Sequence, residues 1–276
     1  MKNKIMLLII LSFYLLSCSS VPVKTGTIKI KGSNTMLPLI EKLAEEFTNE
    51  NPVIEIYTDG GGTELGIKDL LENKIQICAA SRNLEPGETK LLAERFGSVG
   101  VSTFIARDAI RIFVNKKNQV SNLNMNQLNK IFTGEIKNWK DVGGFDKPIM
   151  AIVRDDVSGT AAHFQTRVLN DQDFAKEVLI KSKVEDIIEE VEENETAIGF
   201  SGLGYDWDCK VLSIDNIYPT EGNIKSMKYP LSRYLHFYTI NPPAGLTKSF
   251  IDWVLGTKGQ KIIKEFGFVS LYDFSY

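Results

Sequence analysis

The sequence predicts an α/β fold, and three observations predict it. Apolar, strand-like runs alternate with stretches of helical periodicity from Thr27 onward, the pattern of strand–turn–helix units. The first three strands each end in a hydroxyl-bearing turn, with Ser33 and Thr35, then Thr63, then Ser81. The same unit returns in mid-chain, where a strand runs into Arg154 and the turn Ser158-Gly159-Thr160. A chain of 276 residues with 43% hydrophobic residues fills one large domain or two of ordinary size.

At the start, Met1-Lys2-Asn3-Lys4 precedes an apolar run from Ile5 to Leu16 and the small residues Ser17-Cys18-Ser19-Ser20. A basic start and a short apolar core make an export signal, too short for a permanent membrane span. Leu15-Leu16-Ser17-Cys18 resembles a bacterial lipobox, so residues 1–17 are expected to be a cleaved signal peptide, Cys18 the acylated first residue and residues 18–26 a tether. Cleavage removes Lys2 and Lys4 from 32 basic residues set against 35 acidic ones, which leaves a mature net charge of −5. A near-neutral chain without a basic block argues against nucleic acid as a partner. With His163 and His236 as its two histidines, the chain has no metal-ligand spacing. Cys78 in an apolar run and Cys209 in a loop leave a disulfide possible but unforced.

Thr27 to Lys31 alternates as a strand, and Gly32-Ser33-Asn34-Thr35 turns into a helix from Met36 to Asn51, with Leu39, Ile40, Leu43, Ala44 and Phe47 at helical spacing. The strand Val53 to Tyr57 runs into Asp59-Gly60-Gly61-Gly62-Thr63 and a helix from Glu64 to Glu72; such glycines let backbone approach a ligand closely. A buried strand from Ile75 to Ala80 ends in Ser81-Arg82-Asn83, before a helix from Pro86 to Phe96. Strand-like runs at Val99–Ile105 and Ala109–Asn115 contain a crossover. Then come a helix from Leu123 to Phe132, a turn at Thr133–Trp139, a strand from Ile149 to Val153 and helices at Phe174–Ile180 and Val184–Glu193, the second with an acidic solvated face. Ala197 to Phe200 is another strand, Tyr229 to Thr239 carries the chain back to the first domain, and amphipathic helices at Leu246–Leu255 and Thr257–Phe266 close it.

Ligands of α/β sheets sit at the carboxyl ends of strands, so the hydroxyl turns converge on one place. If a helix starts at Ser158, its free N–H groups and the positive end of its dipole face one point. Arg154 adds a planar fork of donors, and the hydroxyls of Ser158 and Thr160 donate from the same side. This is an anion site. No Gly-x-x-x-x-Gly-Lys-Ser/Thr loop is present, which weakens an ATPase reading. A phosphatase or sulfatase with Ser158 as nucleophile lacks a base placed by sequence, since His163 follows five residues on in the same predicted helix.

The chain resembles the PstS family, the substrate-binding components of bacterial phosphate ABC transporters, across essentially its mature length. The residues that carry this are Gly32-Ser33-Asn34-Thr35-Met36-Leu37-Pro38, Gly60-Gly61-Gly62-Thr63, Ala80-Ser81-Arg82, Ile131-Phe132-Thr133-Gly134-Glu135-Ile136-Lys137-Asn138-Trp139, Arg154 with Ser158-Gly159-Thr160, Ala197-Ile198-Gly199-Phe200 and Tyr229-Pro230-Leu231-Ser232-Arg233. The resemblance implies a two-lobed periplasmic-binding-protein fold of type II, each lobe a mixed sheet flanked by helices, joined by two crossovers. Lobe I is then residues 27–108 with 232–276, and lobe II residues 109–231. It implies one phosphate in the cleft, with donors from Thr35, the Met36 backbone, Thr63, Arg154, Ser158, Gly159 and Thr160; Ser33 and Ser81 join them as turn hydroxyls. It further implies an extracytoplasmic monomer without cofactor or catalysis, anchored by lipid alone and delivering phosphate to permease subunits. Sulfate or molybdate is the alternative ligand, and a surface lipoprotein without transport the alternative role. One departure is Arg82, where some members carry an aspartate that accepts a proton from phosphate; Asp59 and Asp156 are the nearest substitutes in sequence.

Overall fold

The computed structural model describes residues 26–205 and 208–272. The signal peptide, Cys18 and the tether up to residue 25 lie outside the described residues. In chain order the first units are β1 (Gly26–Gly32), α1 (Leu37–Glu50), β2 (Ile54–Asp59), α2 (Thr63–Leu71), β3 (Ile77–Ala80), α3 (Pro86–Phe96) and β4 (Val101–Ala109). The middle segment holds β5 (Arg111–Val114), β6 (Asn122–Leu123), α4 (Met125–Phe132), β7 (Met150–Arg154), α5 (Gly159–Phe164), β8 (Leu179–Lys181), α6 (Val184–Glu193), β9 (Ala197–Ser201), β10 (Lys210–Val211), β11 (Ser213–Ile214) and α7 (Glu221–Lys225). The chain ends with β12 (Ser232–Thr239), α8 (Gly245–Leu255) and α9 (Thr257–Glu265).

These strands sort into two mixed sheets, one per lobe. The first has the order β2-β1-β3-β12-β4, with β1 parallel to β2 and β3, and β12 antiparallel to β3 and β4. The second has the order β10-β5-β9-β7-β8, with β7 parallel to β8 and β9. A small parallel pair, β11 with β6, lies beside it. The expected apolar stripe of α1 is buried as Leu39, Ile40, Leu43, Ala44 and Phe47. β3, central in its sheet, is buried throughout, as its unbroken apolar run requires. Helix α6 buries Val184, Ile187, Ile188 and Val191 and leaves its acids toward water.

The two crossovers run side by side. Ala109 pairs with Ser232 in register, the Ile110 N–H donates to Leu231 O at 2.9 Å, and the Tyr229 hydroxyl donates to Ile110 O at 2.9 Å. Two adjacent, hydrogen-bonded segments thus join the two sheets.

One expected helix is absent: residues 174–180 do not form one. Leu179–Lys181 instead occupies the sheet edge beside β7, pairing parallel with Ile152–Arg154. Phe174 leaves the chain to stack on Phe164 and to meet Phe132 and Phe200, a cluster that outweighs the local helical tendency of Ala-Lys-Glu. Helix α4 starts at Met125, two residues later than its apolar pattern suggests, because Asn124 caps it through the Gln127 N–H. Cys78 and Cys209 are both free, the first buried in β3 and the second against Ile188 in the other lobe.

Candidate functional site

The carboxyl ends of β1, β2 and β3 meet at the lobe boundary. The first turn is tied down by Ser33 N–H to Ala79 O at 2.8 Å, and by Asn34 Oδ1, which accepts the Gly61 N–H at 2.8 Å. The Met36 N–H, expected as a ligand donor, bonds Ser33 O at 3.0 Å. In the second turn, Thr63 Oγ1 accepts the Ser81 N–H at 3.3 Å and lies 3.4 Å from Ser81 Oγ, so the second and third turns share one hydroxyl pair. Ser33, Thr35, Thr63 and Ser81 are all buried.

From the opposite lobe comes the start of α5. Ser158 caps it, accepting the Ala161 N–H at 3.3 Å, and the helix runs on into a π-helical turn over Gln165–Leu169. The cap leaves the Ser158 hydroxyl proton available to donate elsewhere. Thr160 Oγ1 lies 3.0 Å from Thr35 Oγ1 across the lobe boundary.

Two glycines permit this approach. A Cβ on Gly159 would fall 2.2 Å from Thr63 Oγ1 and 2.7 Å from Ser81 Oγ. At Gly62, where φ is +100°, a Cβ would fall 2.1 Å from Val157 O, so backbone touches backbone between lobes. Thr35, Thr63 and Ser81 on one side, and Gly159 and Thr160 on the other, therefore meet in one buried contact, and the expected Ser33 and Ser158 are buried in the turns that lead into it.

Arg154 ends β7 and is only 3% exposed, yet its Nε and Nη2 make no hydrogen bond. Its Nη2 is 3.8 Å from Asp155 Oδ1, itself buried without a hydrogen-bond partner. Buried guanidinium nitrogens without acceptors are costly unless something fills the place. The suggested acceptors Asp59 and Asp156 are both exposed to solvent. Asp59 has a side chain 73% exposed and pairs with Lys31 at 3.3 Å, and Asp156 is exposed. Their turns present them to water, where a carboxylate keeps its hydration. Arg82 is no free cation either: Glu88 grips its Nη1 and Nη2 at 2.8 Å each.

Sequence reading missed a second buried arginine. Arg233 Nε and Nη2 donate to Asp108 Oδ2 at 2.8 and 2.6 Å, and the same Nη2 donates to Thr160 Oγ1 at 3.0 Å. Nothing in the spacing of residues 125 apart signals that pair; it becomes visible only in the β4–β12 register. Tyr205 was also missed; its hydroxyl donates to Asn34 O at 3.2 Å, and burial pushes its pKa up to about 12, so it stays a donor. Burial, then the neighbouring Arg233, pushes His163 down to about 3. It lines a cleft of about 560 Å³ with Arg82 and Arg167. His163 Nε2 is buried and makes no hydrogen bond.

Two mixed α/β lobes that bring buried hydroxyls together, beside a buried guanidinium with two unbonded nitrogens, have the architecture of a solute-binding protein. The comparisons agree. Residues 19–258 match the family model of the PBP superfamily domain. The phosphate-binding protein PstS of Bacillus subtilis is 31% identical over 256 residues, 90% of this chain and 82% of that one. PstS of Borreliella burgdorferi is 29% identical over 284 residues, 98% of this chain and 99% of that one. A crystal structure from Clostridium perfringens, described as a phosphate ABC transporter substrate-binding protein with bound phosphate, superposes with a TM-score of 0.82 at 30% identity, covering 90% of this chain and 100% of that one. The chain belongs to the PBP superfamily and, within it, to the PstS-type phosphate-binding proteins.

Proposed function

We propose that this chain binds one inorganic phosphate between its lobes and delivers it to an ABC permease, outside the cytoplasmic membrane and anchored through a lipid on Cys18. The observation that carries the reading is Arg154, buried with Nε and Nη2 unbonded, four residues before a capped Ser158-Gly159-Thr160 helix start that touches Thr63 and Ser81. Such a donor set wants an anion with several oxygens. Thr35, Thr63 and Ser81 serve it from residues 27–108 with 232–276, and Arg154, Ser158, Gly159 and Thr160 from residues 109–231. Ser33 and the Met36 backbone complete the first turn. An anion held from both sides interacts fully only when the lobes are closed, so binding shifts the population toward the closed form that a permease reads.

Phosphate keeps at least one proton at neutral pH and sulfate none, so an acceptor in the site favours phosphate. Asp155 supplies it in this reading, because among the described residues its Oδ1 is the buried carboxylate oxygen left without a hydrogen bond. No covalent step is required, and Ser158 acts as donor and cap. Thermal unfolding with and without phosphate tests the reading. Saturation at 100 times Kd stabilises by about 2.7 kcal/mol, and an unfolding midpoint unmoved by millimolar phosphate contradicts it.

A further inference from the structure

We propose that Asp108 and Arg233 form a positioning pair that latches the two lobes and sets the Thr160 hydroxyl as a donor toward the bound anion; this rests on the phosphate-binding reading above. Both residues belong to the first sheet, where the register puts them directly opposite on β4 and β12. Both are buried, Asp108 at 0% and Arg233 at 4% exposure. Each holds its partner and then reaches the other lobe. Arg233 Nη2 donates to Thr160 Oγ1 at 3.0 Å, and Asp108 Oδ1 accepts the Leu203 N–H at 2.8 Å.

A guanidinium has donors only, so Thr160 Oγ1 accepts from Arg233 and its own proton is left to donate. Thr35 Oγ1 lies 3.0 Å away, and either hydroxyl can donate in that pair; in the proposed arrangement Thr160 donates, which directs the Thr35 proton onward in turn. An anion in the cleft thus meets hydroxyls already oriented for donation, and less rotor freedom is lost on binding. A pair serving one sheet alone would end its bonds within that sheet. Here two charge-assisted bonds end in the second lobe, and opening breaks both. Gly202 lets that lobe close onto the pair, since a Cβ there would fall 2.6 Å from Thr35 Cγ2 and 2.9 Å from Asp108 Oδ2.

The test is a double-mutant cycle read by calorimetric titration with inorganic phosphate, alongside unfolding midpoints of the ligand-free proteins. Arg233→Lys keeps a charge for Asp108, but a single ammonium does not span carboxylate and hydroxyl in one planar fork. It is expected to lower phosphate affinity at least ~10-fold with the ligand-free midpoint nearly kept, and to have much less effect in a Thr160→Ala background. Losses that simply multiply in the double variant overturn the latch, as does full affinity in Arg233→Lys or a midpoint that falls while affinity holds. Should Arg233→Lys fail to fold, Asp108→Asn with Arg233→Gln, which strands no buried charge, takes its place in the same cycle. A wild type that binds no phosphate overturns the functional reading together with the latch; a wild type that binds while the variants behave additively overturns the latch alone.

Discussion

Arg154 combines burial with unbonded nitrogens, and that combination sets the chemistry expected of it. Arg154→Lys keeps the charge and loses the fork, so phosphate affinity is expected to fall about ten- to a hundredfold, roughly 1.5–3 kcal/mol; a titration that returns the wild-type affinity removes Arg154 from the site. Asp155→Asn is expected to narrow the preference for phosphate over sulfate mainly by improving sulfate, because the amide donates where the carboxylate only accepts. An unchanged ratio of the two affinities in that variant assigns the discrimination to another group. Arg154 and Ser158 were legible because both stand in one short stretch with a helix start. Asp108 and Arg233 were not, since burial and register, neither of which is written locally, decide that they meet. Asp59 shows the converse: its place beside the triple glycine is visible in sequence, but its exposure is set by the turn.

Among the elements, α5 brings the second lobe onto the first. Gly159→Ala puts a Cβ 2.2 Å from Thr63 Oγ1 and 2.7 Å from Ser81 Oγ, both on fully buried side chains. The ligand-free fold is expected to survive, because the obstruction arises only on closing, while phosphate affinity falls by at least ~100-fold, about 2.7 kcal/mol. Wild-type affinity in that variant, measured by the same titration, shows that the cleft binds without this contact. The first-lobe units and α6 were readable because their periodicity and burial agree, as in Leu39, Leu43 and Phe47. Residues 174–180 were misread because a short apolar run fits a helix or an edge strand equally, and the open side of β7 decides between them.

At the scale of the whole molecule, stability depends on keeping two histidines neutral. Burial lowers His163 from its ordinary 6.5 to about 3, and His236, beside Ser102, to about 4. Between about 6.5 and about 4 the unfolded chain therefore binds more protons than the folded one, so stability is full above that window and declines as pH falls through it. The unfolding midpoint is expected to drop between pH ~6.5 and ~5, and a flat profile there contradicts the burial of these rings. The alternation of strand, hydroxyl turn and helix made the α/β class legible, and the family resemblance of the motifs implied the two lobes; the closed contact through Gly62 and Gly159 was not legible, because it depends on how the lobes meet. The most direct measurement is competitive calorimetric titration of the mature chain with phosphate, sulfate and molybdate. One site per chain, with phosphate bound at least ~100-fold more tightly than sulfate, is the predicted result; equal affinity for phosphate and sulfate, or no phosphate binding at all, contradicts it.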